Sequence, residues 1–233
     1  TLDLSSLDFS KHLRLGNRLE LFFEFLLNQS RNHKILEKNI QIVENKITLG
    51  ELDYIIEDKT TNSSFHLELA NKFYLYDPNI KIEIDRWIGP NRNDSLIRKI
   101  TKLKNKQFPL LHHKQTVSQL TDLGIDVCML SQKLLFKTQL FLPKTMYLEE
   151  KDNVNIEGFY IHQHDFLNEE YQDSLFFVPE KQDWLINAKY GEVWFEFEIM
   201  LQSIDLHFQN YKNPLIWCQD ARKNCFSSAK YSA

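Results

Sequence analysis

A chain of 233 residues with 42% hydrophobic content is long enough for one substantial core, and only six glycines and six prolines exclude a collagenous or low-complexity chain. The formal net charge of −4 argues against indiscriminate polyanion binding but leaves local basic patches open. Three scattered cysteines, Cys128, Cys218 and Cys225, lack metal-ligand spacing, so the expectation is a reducing, cytoplasmic setting without disulfides. No apolar run approaches the roughly 20 residues of a membrane span. The opening TLDLSSLDFSKHL lacks the basic-then-apolar order of a signal peptide.

In chain order, Leu15, Leu19, Phe22, Phe23, Leu26 and Leu27 recur at helical spacing and predict a helix from about Ser10 to Asn28. Glu20 and Glu24, four apart, share one of its faces. Ile40 and Ile42 alternate up to a turn at Glu44-Asn45-Lys46. Leu49 to Glu57 and Phe65 to Tyr76 read as strands joined by the turn-forming segment Asp58 to Ser64. Ile80, Ile82 and Ile84 alternate and suggest another strand. Gly89-Pro90 ends that segment, and Asn93 or Asp94 caps a helix whose buried stripe is Leu96, Ile100 and Leu103. A short helix over Lys114 to Leu123 ends at Gly124.

Ile125 to Leu130 and Leu134 to Leu142 look like strands, the second stopped by Pro143. Gly158 to His164 reads as a further strand. Gly191 to Gln209 fits either period, and its length favours a helix. A change of character near Pro143 suggests a core over 1–142 and an extension over 143–233.

Charged residues on the two central strands pose the functional question. Alternation places Glu51 and Asp53 on one face, opposite Leu52, and His66, Glu68, Ala70 and Lys72 together on one face of the next strand. In a hairpin Asp53 and Glu68 then sit side by side. Adjacent carboxylates repel, and a divalent cation between them removes that cost; hard Mg²⁺ prefers such oxygen ligands. A nearby lysine can hold a water or a developing oxyanion. Together these groups suit metal-assisted hydrolysis of a phosphodiester. The same pattern also allows a solvent-facing hairpin with Lys72 as a cross-strand partner.

A Glu on the first helix, then Gly50-Glu51-Leu52-Asp53, then a strand with Glu68 and Lys72 resembles the PD-(D/E)XK nuclease superfamily. More closely, LGELDYII, HLELANKFYLY, WIGPNRNDSLIRKITKL and VPEKQDWL resemble the bacterial domain-of-unknown-function family 1853, through about Leu185. The resemblance implies a restriction-endonuclease-like core. It makes Asp53 and Glu68 metal ligands for Mg²⁺ or Mn²⁺, Lys72 the catalytic lysine and Glu20 an accessory carboxylate. The superfamily pattern has one residue between the acid and the lysine; here Leu69, Ala70 and Asn71 intervene.

Arg86, Arg92, Arg98, Lys99, Lys102, Lys104 and Lys106 crowd one segment whose only acid after Arg86 is Asp94. Arg98, Lys102 and Lys106 fall at four-residue spacing, and with Lys99 they form a candidate phosphate-contacting stripe; a solvated helix face is the plain alternative. His162-Gln163-His164-Asp165 has no third ligand at recognisable spacing. His112-His113 follows a helix end, His66 is a packing or supporting group beside Glu68, and Trp87 anchors a turn. No phosphate loop or nucleophile elbow occurs.

The expectation is therefore an α/β fold with a central mixed sheet of about five strands flanked by helices, with strands added by the C-terminal third. The expected function is a Mg²⁺-dependent nuclease acting on DNA or RNA. The alternatives are an inactive nuclease-like module that binds nucleic acid and a protein-interaction domain using aromatics such as Trp194, Phe195 and Phe197.

Overall fold

The computed structural model describes residues 13–150, 153–166, 171–187, 191, 193–210, 212–220 and 225–232. The helices and strands run, in chain order, α1 (Leu15–Gln29), β1 (His33–Glu44), β2 (Ile47–Asp58), β3 (Ser63–Tyr76), β4 (Trp87–Ile88), α2 (Leu96–Lys102), α3 (Phe108–Leu110), α4 (Lys114–Asp122), β5 (Leu130–Pro143), α5 (Lys144–Glu150), β6 (Ile156–His162), α6 (Gln163–Phe166), β7 (Leu175–Phe177), α7 (Phe197–Gln209), β8 (Leu215–Asp220) and β9 (Cys225–Ser232). A π turn over Leu103–Gln107 joins α2 to α3. The chain is α/β with a mixed sheet flanked by helices. Among the described residues no helix is long and apolar enough to cross a membrane.

Contacts divide the chain into two compact units, one of residues 1–71 and 98–137, the other of 72–97 and 138–233. In the first, the strands run in the order β1-β2-β3-β5. Asn45 and Lys46 both adopt positive φ, as a tight hairpin turn between β1 and β2 requires. The β2–β3 turn is held by Asp58, whose Oδ1 accepts from the Thr60 N–H at 2.9 Å. Apolar side chains fill both faces. Tyr54, Ile56, Phe65 and Leu67 pack with Phe23 and Leu27 of α1. Ile40, Ile42, Leu52 and Ile55 pack with Leu110, Leu111 and Leu120 from α3, the residue after it and α4. The buried Thr116 hydroxyl donates to the Leu110 carbonyl at 2.7 Å and ties α4 to α3.

In the second unit β5, β6 and β9 run parallel, and β8 and β7 continue antiparallel. Phe197, Met200 and Ile204 of α7 close a core with Phe159, Ile161, Phe176 and Ile216. The C-terminal third thus adds strands, as expected. β4 pairs with the Leu75–Tyr76 end of β3, and Trp87 packs edge-on against Tyr76 with centroids 5.0 Å apart, the anchoring role expected of it.

Several local expectations are corrected. Ile80 to Ile84 form no strand: the Ile80 carbonyl accepts from Arg86 Nε at 2.8 Å, and Ile82 and Ile84 are exposed, so their alternation has no sheet to serve. Ile125 to Leu130 is interrupted by a 3₁₀ turn over Val127–Met129, capped by the Asp126 carboxylate accepting from the Cys128 N–H at 2.9 Å. His162 ends β6 and residue 163 begins α6, so a strand does not carry His162 and His164 together; the His164 side chain lies outside the described residues. The ambiguous Gly191–Gln209 segment is helical from Phe197, with Phe195 bridging to Phe176 before it. The first helix begins at Leu15 within the described residues, and its expected Ser10–His12 start lies outside them. Gly124 follows α4 at φ +77°, the left-handed stop its residue type allows.

Candidate functional site

The pleat of β2 slips at Asp53. Residues three apart on a regular strand face opposite ways, yet Leu52 and Ile55 share one core while Tyr54 and Ile56 sit in the other. Across the ladder, Lys38 pairs with Tyr54 and Ile40 with Leu52, and the intervening Asn39 has φ +51°. On the other side, pairing of β2 with β3 runs from Asp58–Ser63 to Tyr54–Leu67 and stops. There the Asp53 carboxylate takes over, its Oδ2 accepting from the Leu69 N–H at 2.7 Å. Asp53 therefore stands where two strands part, with a side chain doing a ladder carbonyl's work.

Glu68 lies next door in β3 and is 1% exposed. Both of its oxygens accept hydrogen bonds. Oε1 faces His66 Nε2 at 3.0 Å and Oε2 accepts from Gln107 Nε2 at 2.6 Å. The tautomer of His66 follows from its other neighbour. Gln132 Nε2 donates to the Phe108 carbonyl at 2.8 Å, which only an amide N–H can do, and the same NH₂ faces His66 Nδ1 at 3.2 Å. Nδ1 is then an acceptor, and the Nε2–H of a neutral ring donates to Glu68. The His66 imidazole and the Gln107 amide both hold this deeply buried carboxylate.

The surroundings of Asp53 are acidic. Its pKa is pushed up to about 6, first by burial and then by Glu68, against a lowering by the Leu69 N–H, with smaller increases from Glu20 and Glu51. Glu20 is likewise raised, by burial and then by Glu51. α1 brings Glu20 here because its apolar stripe docks on Tyr54: the Phe23 and Tyr54 rings meet edge-on at 5.3 Å, and the Tyr54 hydroxyl donates to the Glu20 carbonyl at 3.3 Å. Glu24, one turn on, pairs with Lys38 instead. Gly50 leaves room beside them. A Cβ there would lie 2.7 Å from Leu110 Cδ2, so the Gly-Glu-Leu-Asp run lets α3 close on β2.

The structure thus brings together Asp53, Glu68 and Glu20 from the expected set, and adds Glu51, Gln107 and Gln132. It gives Lys72 a different partner: its Nζ donates to Asp94 Oδ2 at 2.6 Å within the second unit. Arg98, Lys102 and Lys106 are exposed along α2 and the π turn, whereas Lys99 is half-buried and donates to Gln107 Oε1 at 3.0 Å. Glu51 was legible as Asp53's neighbour in alternation. Gln107 and Gln132 carry no local signal, being 39 and 64 residues from Glu68 in sequence. Elsewhere, His113 caps the start of α4, its side chain accepting from the Gln115 N–H.

Among the described residues no group of three or more His, Cys, Asp or Glu side chains is placed to hold a metal ion on its own. The donor set still fits a hard cation. Mg²⁺ is commonly held by one or two carboxylates, with waters completing its shell, and Asp53 and Glu68 are two oxygen donors whose mutual repulsion a cation would relieve.

The model of the family described as Domain of unknown function (DUF1853) matches residues 3–225. No curated protein and no solved structure matches the chain.

Proposed function

We propose that this chain, which belongs to the DUF1853 family, is a nuclease-like protein of the PD-(D/E)XK type that hydrolyses phosphodiester bonds of DNA or RNA with Mg²⁺ or Mn²⁺. The observation that carries the reading is the Asp53–Glu68 pair: two neighbouring carboxylates, one fully buried, with Glu20 and Glu51 adding further negative charge around Asp53. Carboxylate charge of this density is costly to keep in a fold unless a cation helps to balance it.

Asp53 and Glu68 would hold the metal, with Glu20 the accessory carboxylate from α1. The bound ion would supply charge neutralisation at the phosphate and a more acidic water. The reaction consumes one water, breaks one P–O ester bond and leaves a phosphomonoester and a hydroxyl. The chain's own part is positioning: the Leu69 N–H fixes Asp53, and His66 and Gln107 fix Glu68. Arg98, Lys102 and Lys106, all exposed, are suited to contact the phosphates of a strand. One observation favours a second reading, a module that binds nucleic acid without turnover: Lys72 is bonded to Asp94.

Calorimetry with Mg²⁺ and Mn²⁺, wild type against Asp53→Ala, followed by cleavage of single- and double-stranded DNA and RNA, tests the proposal. Binding and cleavage that disappear together in the variant support it. Absence of metal binding by the wild type overturns it. Metal-independent nucleic-acid binding without cleavage selects the second reading.

A further inference from the structure

We propose that the lysine serving this acidic centre is Lys99, acting through Gln107, in place of Lys72. The inference rests on the nuclease reading for its catalytic consequence, but the wiring is independent of it. Lys99 Nζ donates to Gln107 Oε1 at 3.0 Å, and Gln107 Nε2 donates to Glu68 Oε2 at 2.6 Å. An ammonium can only donate and a carboxylate oxygen here accepts, so the amide has one orientation that satisfies both ends. Lys99 holds the Gln107 carbonyl and thereby aims its N–H at Glu68.

The backbone is built to make this contact. Residues eight apart on a regular α-helix are displaced by about 80° around the axis, at roughly 100° per residue. Lys99 and Gln107 are eight apart, and the wider π turn over Leu103–Gln107 reduces that displacement and brings the two side chains within hydrogen-bond reach. Wide turns of this sort recur at functional sites. Lys72, by contrast, is joined to Asp94 at 2.6 Å, an ion pair that its sequence spacing from Glu68 does not anticipate.

Lys99 and Gln107 are thus positioning residues. They hold one oxygen of Glu68 while His66 holds the other, leaving the remaining lone pairs in fixed directions, and Lys99 places a positive charge one amide away from the carboxylate. Lys99 is only half-buried, so the same ammonium also stands at the surface end of the chain of bonds, beside the exposed basic residues.

The test follows the Glu68 carboxyl carbon and the Gln107 side-chain amide by NMR at one fixed pH, in wild type, Lys99→Met, Lys99→Arg, Gln107→Leu and Lys72→Met. The expected result is that Lys99→Met moves the Gln107 amide signals and the Glu68 carboxyl shift. Lys99→Arg, which keeps a donor, restores most of the wild-type behaviour, and Lys72→Met changes Glu68 less than Lys99→Met does. Gln107→Leu reproduces the Glu68 change without touching Lys99. The inference is overturned if Lys72→Met moves the Glu68 carboxyl shift more than Lys99→Met, or if Lys99→Met leaves the Gln107 amide in place.

Cleavage assays on the same proteins carry the catalytic half. Loss of a group supporting a metal ligand typically lowers activity or metal affinity about 10- to 100-fold. Lys99→Met should lower kcat with little change in KM for the nucleic acid, and Lys99→Arg should recover most of it. If the NMR result holds while the wild type cleaves nothing, the wiring stands and the nuclease reading falls.

Discussion

Asp53→Asn should stabilise the protein at neutral pH and not at pH 4. Asparagine keeps an acceptor for the Leu69 N–H, so the substitution removes the charge and little else. Burial and the neighbouring Glu68, Glu20 and Glu51 push the Asp53 pKa from 3.8 to about 6. Below pH 3.8 the carboxyl is protonated in folded and unfolded chains alike and contributes nothing. Between 3.8 and 6 the unfolded chain gives up its proton first, so stability falls as pH rises, and above 6 the full penalty is present. The gap corresponds to about 3 kcal/mol at 1.36 kcal/mol per pH unit. Partial exposure and solvent screening bring the expected effect to about 1–2 kcal/mol.

Urea unfolding of both proteins at pH 4 and pH 7.5, without divalent ions, measures it. The stability difference should move by about that amount in favour of Asp53→Asn at the higher pH. A difference that is the same at both values would refute the claim that Asp53 is held against its charge. Mg²⁺ supplies the converse: an ion bound at Asp53 and Glu68 stabilises the wild type by RT ln(1 + [L]/Kd), about 2.7 kcal/mol at a hundredfold excess over Kd. It should leave Asp53→Asn nearly unmoved.

Gly50→Ala should destabilise by about 1–3 kcal/mol in urea, because the new methyl meets Leu110 Cδ2 at 2.7 Å and that buried side chain must give way. Tyr54→Phe, which deletes the bond to the Glu20 carbonyl, should destabilise by about 0.5–1.5 kcal/mol in the same assay. Gln132→Leu should destabilise by about 1–3 kcal/mol in the same assay, since it leaves the buried His66 Nδ1 without its amide partner. Replacing Arg98, Lys102 and Lys106 together by alanine should flatten the salt dependence of nucleic-acid binding by about 3 in log K against log [salt], at roughly 0.9 per phosphate contact on duplex DNA; an unchanged slope in a filter-binding series would remove this face from the interface.

The sequence by itself determined the strand and helix periods, the hairpin turn at Asn45-Lys46, the two acids Asp53 and Glu68, and the helix that carries Glu20. These follow from local chemistry: alternation, capping, turn residues, and charges where apolar strands do not want them. It also carried the family, through motifs whose order matters more than any one of them. Where alternation alone was read, as at Ile80 to Ile84, it failed, because a strand needs a partner as well as a period.

Only the tertiary structure decided how the acids are held. The slipped pleat at Asp53 depends on a positive-φ Asn39 across the ladder, and the hold on Glu68 depends on Gln107 and Gln132, brought from distant segments. A glutamine has no periodic or compositional signature. Its hydrogen bonds are decided by which backbone carbonyl or carboxylate the fold sets opposite it, and one π turn is enough to exchange the lysine that serves a site. Lys72 illustrates the limit in the other direction: parity put it on the Glu68 face, and the loop that delivers Asp94 gave it a nearer partner.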